Sequence, residues 1–242
     1  MRLGFTEITI AEALAQFLGD RKLKTQIEQK YNIRPDIGLV AETLKKEGLK
    51  GLDKIHMETG VPVLSQKAQR VADGMDEIVE RMKTLWTEFK LDGIRAQLHM
   101  DVKKESKSKG SIQTLFSSDK NKEILVKTYT RNLEETTHMY PEITKAAKEH
   151  LKAESVILDG EAIGYDQKTG AFLPFQEIMQ RKRKHDIKET AKKIPLQYYV
   201  FDILFLDGKS LIEKPLKERK KILQSIVRRN DVIKVVGHQR SE

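Results

Sequence analysis

The chain has 242 residues, 38% hydrophobic and 33% charged, with no cysteine, six histidines and a formal charge of +9. It suits one large domain or one and a half, folds without a disulfide scaffold, thiolate zinc site or cysteine nucleophile, and leaves any metal to oxygen ligands. Residues 1–60 carry 10 basic against 9 acidic side chains, so all but one unit of the net charge lies in 61–242 and points to a polyanionic partner, nucleotide or nucleic acid first.

Residues 1–60 read as helices. Thr9 can cap a segment in which Ala13, Leu14, Phe17 and Leu18 recur at helical spacing before Gly19, and Asp36 a second with Leu39, Val40 and Leu44 before Gly48. Gly60-Val61-Pro62-Val63 breaks the pattern, which predicts a domain boundary near residue 60. An amphipathic helix is expected from about Asp73 to Leu85, with Met75, Ile78, Val79, Met82 and Leu85 on one stripe. From Ile94 to Val102 apolar residues alternate with Arg95, Gln97, His99 and Asp101, the pattern of a half-buried strand with a separate polar face, and Asp92-Gly93 before it signals a hairpin turn.

Lys103–Lys109 reads as a polar loop, and further strands are expected at Ile124–Tyr129, Ser155–Tyr165, Leu196–Leu206 and Val232–Val236. Helices are expected at Pro141–Leu151, Pro174–Arg183 and Lys217–Val227. The mixture predicts an α+β fold after an all-helical segment. No stretch approaches the roughly 20 apolar residues of a membrane span, and Met1–Ile10 lacks the layout of a signal peptide, so a cytoplasmic or nuclear location is expected. The chain ends directly after an apparent strand, which suggests a globular unit that continues.

Three stretches can carry chemistry. In Glu88-Phe89-Lys90-Leu91-Asp92-Gly93-Ile94-Arg95 an amine and a guanidinium would share one sheet edge and receive a phosphate. Lysine attacks only as the free amine, so partial desolvation among other cations would make it a nucleophile toward phosphorus; the plain alternative is a solvated turn. Asp159-Gly160-Glu161 sets two carboxylates into an apolar run, costly unless paired, metal-bound or hydrogen-bonded, with a second turn as the alternative. In Tyr198–Gly208 most aromatics, Tyr199 and Phe205 included, should be core, while one can stack on a purine.

In this order the stretches resemble the covalent nucleotidyltransferases, and among them the ATP-dependent DNA ligases of archaeal and eukaryotic replicative type. The resemblance extends through Tyr129-Thr130-Arg131-Asn132-Leu133-Glu134, Tyr140-Pro141-Glu142-Ile143, Pro174-Phe175-Gln176 with Arg181-Lys182-Arg183-Lys184, Phe201-Asp202-Ile203-Leu204, and Pro215-Leu216 with Glu218-Arg219. It implies a nucleotidyltransferase (adenylation) fold of antiparallel sheets flanked by helices over 61–242, with 1–60 as the end of a helical DNA-binding domain. It further implies that Lys90 attacks the α-phosphate of ATP and keeps AMP, Glu88 lies beside adenine, Arg95 and Glu161 hold the ribose, Phe201 stacks on the base, and Arg131 reaches nucleotide or nicked-strand phosphate. Arg181 would lie near the phosphates and Glu161 on Mg²⁺.

The implied partner is nicked double-stranded DNA, with a sliding clamp left open, no membrane and a monomeric enzyme of replication, repair or recombination, in the nucleoid of a prokaryote or in a nucleus. The family's later glutamate-glycine and Lys-x-Lys motifs and its OB-fold domain do not occur before Glu242. The adenylation domain is therefore expected to be incomplete at its C-terminus, and the chain alone weakly active or inactive. A capping guanylyltransferase or RNA ligase shares the lysine motif, and a basic nucleic-acid-binding module without catalysis would need only the charge.

Overall fold

The computed structural model describes residues 6–66, 69–72, 74–82, 84–105, 124–182 and 187–241. The chain divides into two compact units, Met1–Ser65 and Gln66–Glu242.

The first unit is helical: α1 (Glu7–Phe17), α2 (Leu23–Ile33), α3 (Ile37–Glu47) and a 3₁₀ segment (Gly48–Lys54). Thr6, not Thr9, caps α1, its hydroxyl accepting from the Thr9 N–H at 3.3 Å. Asp36 caps α3 as expected, and Gly48 ends it at φ +64°, a conformation that favours glycine. Ala11, Ala15, Ile27, Val40, Leu44, Leu52 and Ile55 close the core. Just past Gly60-Val61-Pro62-Val63, the Leu64 N–H donates to the Asn32 carbonyl at 2.8 Å, so this segment folds back onto the unit.

The second unit runs α4 (Met75–Met82), β1 (Leu85–Glu88), β2 (Ile94–Glu105), β3 (Ile124–Tyr129), α5 (Pro141–His150), β4 (Ser155–Gly164), α6 (Phe175–Ile178), α7 (Ile187–Lys193), β5 (Leu196–Leu206), β6 (Lys209–Ser210), α8 (Leu216–Ile226), β7 (Ile233–Val235) and β8 (His238–Ser241). The main sheet has the order β3-β2-β4-β5-β6, antiparallel throughout, with β7 parallel beside β5. Ala96, Leu98 and Met100 of β2 and Leu158 and Ala162 of β4 share a core with Ile143, Ala146 and Ala147 of α5, Ile178 of α6, and Leu223 and Ile226 of α8. The unit is thus mixed α+β, with helices packed on an antiparallel sheet.

Several sequence expectations change. The helix after the boundary stops at Met82, because Leu85 enters β1. No hairpin forms at Asp92-Gly93: β1 pairs with β8, Trp86 opposite Arg240, and the Asp92-Gly93 segment passes from that two-stranded sheet to the main one. The alternate face of β2 is buried too, with Gln97 4%, His99 0% and Asp101 7% exposed. A polar row can be covered where its members bond one another, as His99 Nε2 and Gln97 Oε1 do at 2.9 Å. Asp159-Gly160-Glu161 is continuous strand rather than a turn. Of the expected polar loop, Lys103 and Lys104 continue β2, while Lys107 and Lys109, like Asp73, Arg183 and Lys184, lie outside the described residues.

Candidate active site

Arg95 of β2 stands opposite Glu161 of β4, and Glu161 opposite Tyr199 of β5. Direct cross-strand partners share a face, so these three form one row. The next row is Gln97, Asp159 and Asp202. Arg95 reaches across the rows to Asp159 in a bidentate pair, Nε to Oδ1 at 3.0 Å and NH2 to Oδ2 at 2.5 Å. Its guanidinium also lies over the Phe201 ring, 5.3 Å from the centroid.

The Phe201 ring owes its position to a break in the strand. Asp159 pairs with Asp202 and the adjacent Gly160 with Val200, so β5 has one residue too many there, and that residue is Phe201. Such a bulge re-aims a side chain beside a site. It also shifts parity, the buried positions of β5 running Leu196, Tyr198, Val200 and then Ile203.

Lys90 is exposed on the segment between β1 and β2. It borders a cavity of about 640 Å³ walled by Ile163, Phe172, Leu173, Tyr199 and Val236. Phe172 meets Tyr199 edge-on at 5.6 Å. The Gly93 N–H acts on the Glu161 carboxylate, and the Gly93 backbone packs closely against Glu161 and Ala162, so the Lys90 segment lies on β4. Burial pushes the Glu161 carboxyl up from its ordinary value, opposed by that N–H and by Arg95 and Lys90. Burial likewise raises the Asp159 carboxyl against the pull of Arg95, with Asp202 adding to the rise. Burial acts to lower the Arg95 guanidinium, but its bonds to Asp159 carry it above the ordinary value and keep it charged. An apolar cleft beside an aromatic ring, a fixed guanidinium, a half-buried carboxylate and an accessible amine together suit a planar base, a sugar and a phosphate.

Of the residues singled out in the sequence, Lys90, Arg95, Glu161 and Phe201 meet at this face. Glu88 closes β1 and is ion-paired with Lys220 of α8. Arg131 is exposed two residues past Tyr129, which pairs with Gln97, so it leaves the sheet at the Arg95 end. Arg181, expected near the phosphates, is 3% exposed and bidentate to Glu142, at 2.6 and 3.0 Å. Among the described residues no three His, Asp or Glu side chains gather into a metal-holding group.

Sequence reasoning left Tyr199 in the core, whereas it is half-buried on the cavity wall and Tyr198 is the fully buried one, its hydroxyl donating to the Ala96 carbonyl at 2.7 Å. It also gave Asp159 no partner and Lys220 no role. The signal for Lys220 was present: it occupies the apolar stripe of α8 between Leu216 and Leu223.

Residues 116–242 match the family model for the ATP dependent DNA ligase domain. Among curated proteins, "DNA ligase 2" of Korarchaeum cryptofilum is 36% identical over 241 residues, 99% of this chain and 37% of that protein. "DNA ligase 2" of Thermofilum pendens is 38% identical, covering 98% and 37%, and the DNA ligase of Sulfolobus acidocaldarius 35%, covering 99% and 37%. The chain therefore spans a little over a third of the length of these relatives. Among solved structures, mycobacterial DNA ligase D complexed with ATP and MES overlaps 64% of this chain and 40% of that one at 22% identity, with a TM-score of 0.41, too loose to carry residue correspondences.

Proposed function

Because the chain belongs to the family of ATP-dependent DNA ligase domains, we propose that its second unit is the adenylating part of an enzyme that seals nicks in duplex DNA. The observation that carries this reading is the meeting of Lys90, Arg95, Glu161 and Phe201 at one face, where Lys90 also borders the apolar cavity. In the proposed reaction the Lys90 Nζ, as the free amine, forms a bond to the α-phosphorus of ATP while the bond to the bridging oxygen breaks and pyrophosphate leaves. AMP then passes from Lys90 to the 5′-phosphate of a nick, and the 3′-hydroxyl displaces it.

Phe201 stacks on the adenine, and Arg95, held flat by Asp159, and Glu161 grip the ribose. The bidentate clamp supports this role, since it removes the rotamer freedom that nucleotide binding would otherwise have to restrict. Mg²⁺ is characteristically bound by one or two carboxylates and substrate phosphates, a donor set that Glu161 fits, and it would spread the charge of the transferring group. Arg131, exposed at the same end, would reach a phosphate of nucleotide or nick. The excess of positive charge outside residues 1–60 supports duplex DNA as the partner.

The test is mass spectrometry of the chain after incubation with ATP and Mg²⁺. Wild type is expected to gain AMP on a small fraction of molecules, in keeping with a weakly active domain, and Lys90→Arg, which keeps the charge without a titratable amine near neutral pH, on none. A Lys90→Arg chain that still gains AMP would overturn the assignment.

A further inference from the structure

Glu88 ends β1 two residues before Lys90, and its carboxylate oxygen Oε1 is ion-paired with Lys220 Nζ. Lys220 is 1% exposed, a burial that lysine almost never reaches unless a partner compensates its charge. Its neighbour Arg219 holds Asp202 in a bidentate pair, at 2.8 and 3.0 Å, and Asp202 directly follows Phe201. Two consecutive cations of α8 therefore anchor a residue of each sheet, one next to the aromatic ring and one next to the Lys90 segment. Glu88 keeps 28% of its side chain exposed and borders a cavity of about 350 Å³ with Phe89, Gly237 and His238. Its carboxylate is thus held by a buried charge yet open to a ligand.

We infer that Lys220 is a positioning residue for base selection. It holds the Glu88 carboxylate where it accepts a hydrogen bond from the exocyclic amine of adenine and repels the carbonyl oxygen that guanine carries at the same place. This rests on the reading that the Lys90 site takes ATP. Glu88 alone would retain the charge but not the orientation, so removing Lys220 should cost discrimination more than overall binding.

Trp86 is the single tryptophan, lies on β1 two residues from Glu88 and stacks on His238 at 4.2 Å, so its fluorescence reports both nucleotide binding and folding of this unit. The chain is titrated with Mg·ATP and with Mg·GTP. Wild type should prefer ATP. Lys220→Met should narrow the ATP-to-GTP preference about tenfold, the value of one well-made hydrogen bond, Lys220→Arg should restore most of it, and in a Glu88→Gln background Lys220→Met should change the ratio little. Lys220→Met leaves behind a carboxylate that water can reach, which favours folding; if it does not fold, Lys220→Gln gives the same readout. An unchanged ratio in a folded variant, including an equal loss of both affinities, overturns the inference and marks Lys220 as structural only. A wild type that binds neither nucleotide overturns the reading beneath it and the inference as well.

Discussion

A Cβ on Gly160 would stand 2.6 Å from the Tyr199 carbonyl oxygen and 2.7 Å from the Tyr198 ring, and one on Gly93 would stand 2.5 Å from the Ala162 carbonyl oxygen. Both glycines sit where backbones approach too closely for a side chain, Gly160 between β4 and β5 and Gly93 between the Lys90 segment and β4. Each lies inside a motif that the sequence presents as Asp-Gly, and in neither does the glycine serve a tight turn. Gly160→Ala must push β5 off β4 or displace the buried Tyr198, and should destabilise the unit by about 1–3 kcal/mol. Gly237→Ala, with nothing within 4 Å of its Cβ, should stay within about 0.5 kcal/mol of wild type. Urea unfolding followed by Trp86 fluorescence separates the two; equal stability of all three chains would show that the sheet yields at Gly160 without cost.

At the scale of elements, strands with local alternation were legible, and β3 and β5 begin and end where the sequence puts them. Partnership was not legible. Leu85–Glu88 pairs with His238–Ser241, about 150 residues away, and no local pattern distinguishes that from a hairpin across Asp92-Gly93. The bulge was hidden for a related reason: a parity change within Tyr198–Phe205 is visible only when the partner strand's register is known. It decides which aromatic is core and which is available, Tyr198 being buried while Tyr199 and Phe201 are not. The expected stacking of Phe201 on a base is testable at this scale. Phe201→Ala should weaken ATP binding by about 1–3 kcal/mol, the range of aromatic–base stacking, with little change in the melting of the unit, because the half-buried ring lies against the Arg95 guanidinium and outside the buried core cluster. A large loss of stability with ATP affinity intact would return Phe201 to the core.

Across the second unit as a whole, the covered polar face of the main sheet makes stability depend on pH. His99 is fully buried between Lys127 of β3 and Ile157 of β4 in register, bonded to Gln97 and edge-on to Tyr129 at 5.0 Å. Burial, with the charges of Lys104 and Lys127 adding to it, pushes its imidazole down to about 3. The unfolded chain takes up a proton near pH 6.5 and the folded chain does not, so the stability held above that pH is lost progressively as pH falls toward the folded value. Between pH 7.5 and 5 the loss should be about 2 kcal/mol. Asp159 and Glu161 act in the opposite sense, since their raised carboxyls favour the folded chain as they protonate, and both remain in a His99 variant, so the difference between that variant and wild type isolates the histidine. Trp86 fluorescence follows this unit alone, because the helical unit has no tryptophan. Urea unfolding at pH 7.5, 6 and 5 should show the decline in wild type and a nearly level profile in His99→Gln, whose amide can still bond Gln97 without titrating. A wild-type profile as level as that of His99→Gln would mean that His99 gains its proton without unfolding, and that the polar face of the sheet is open to water.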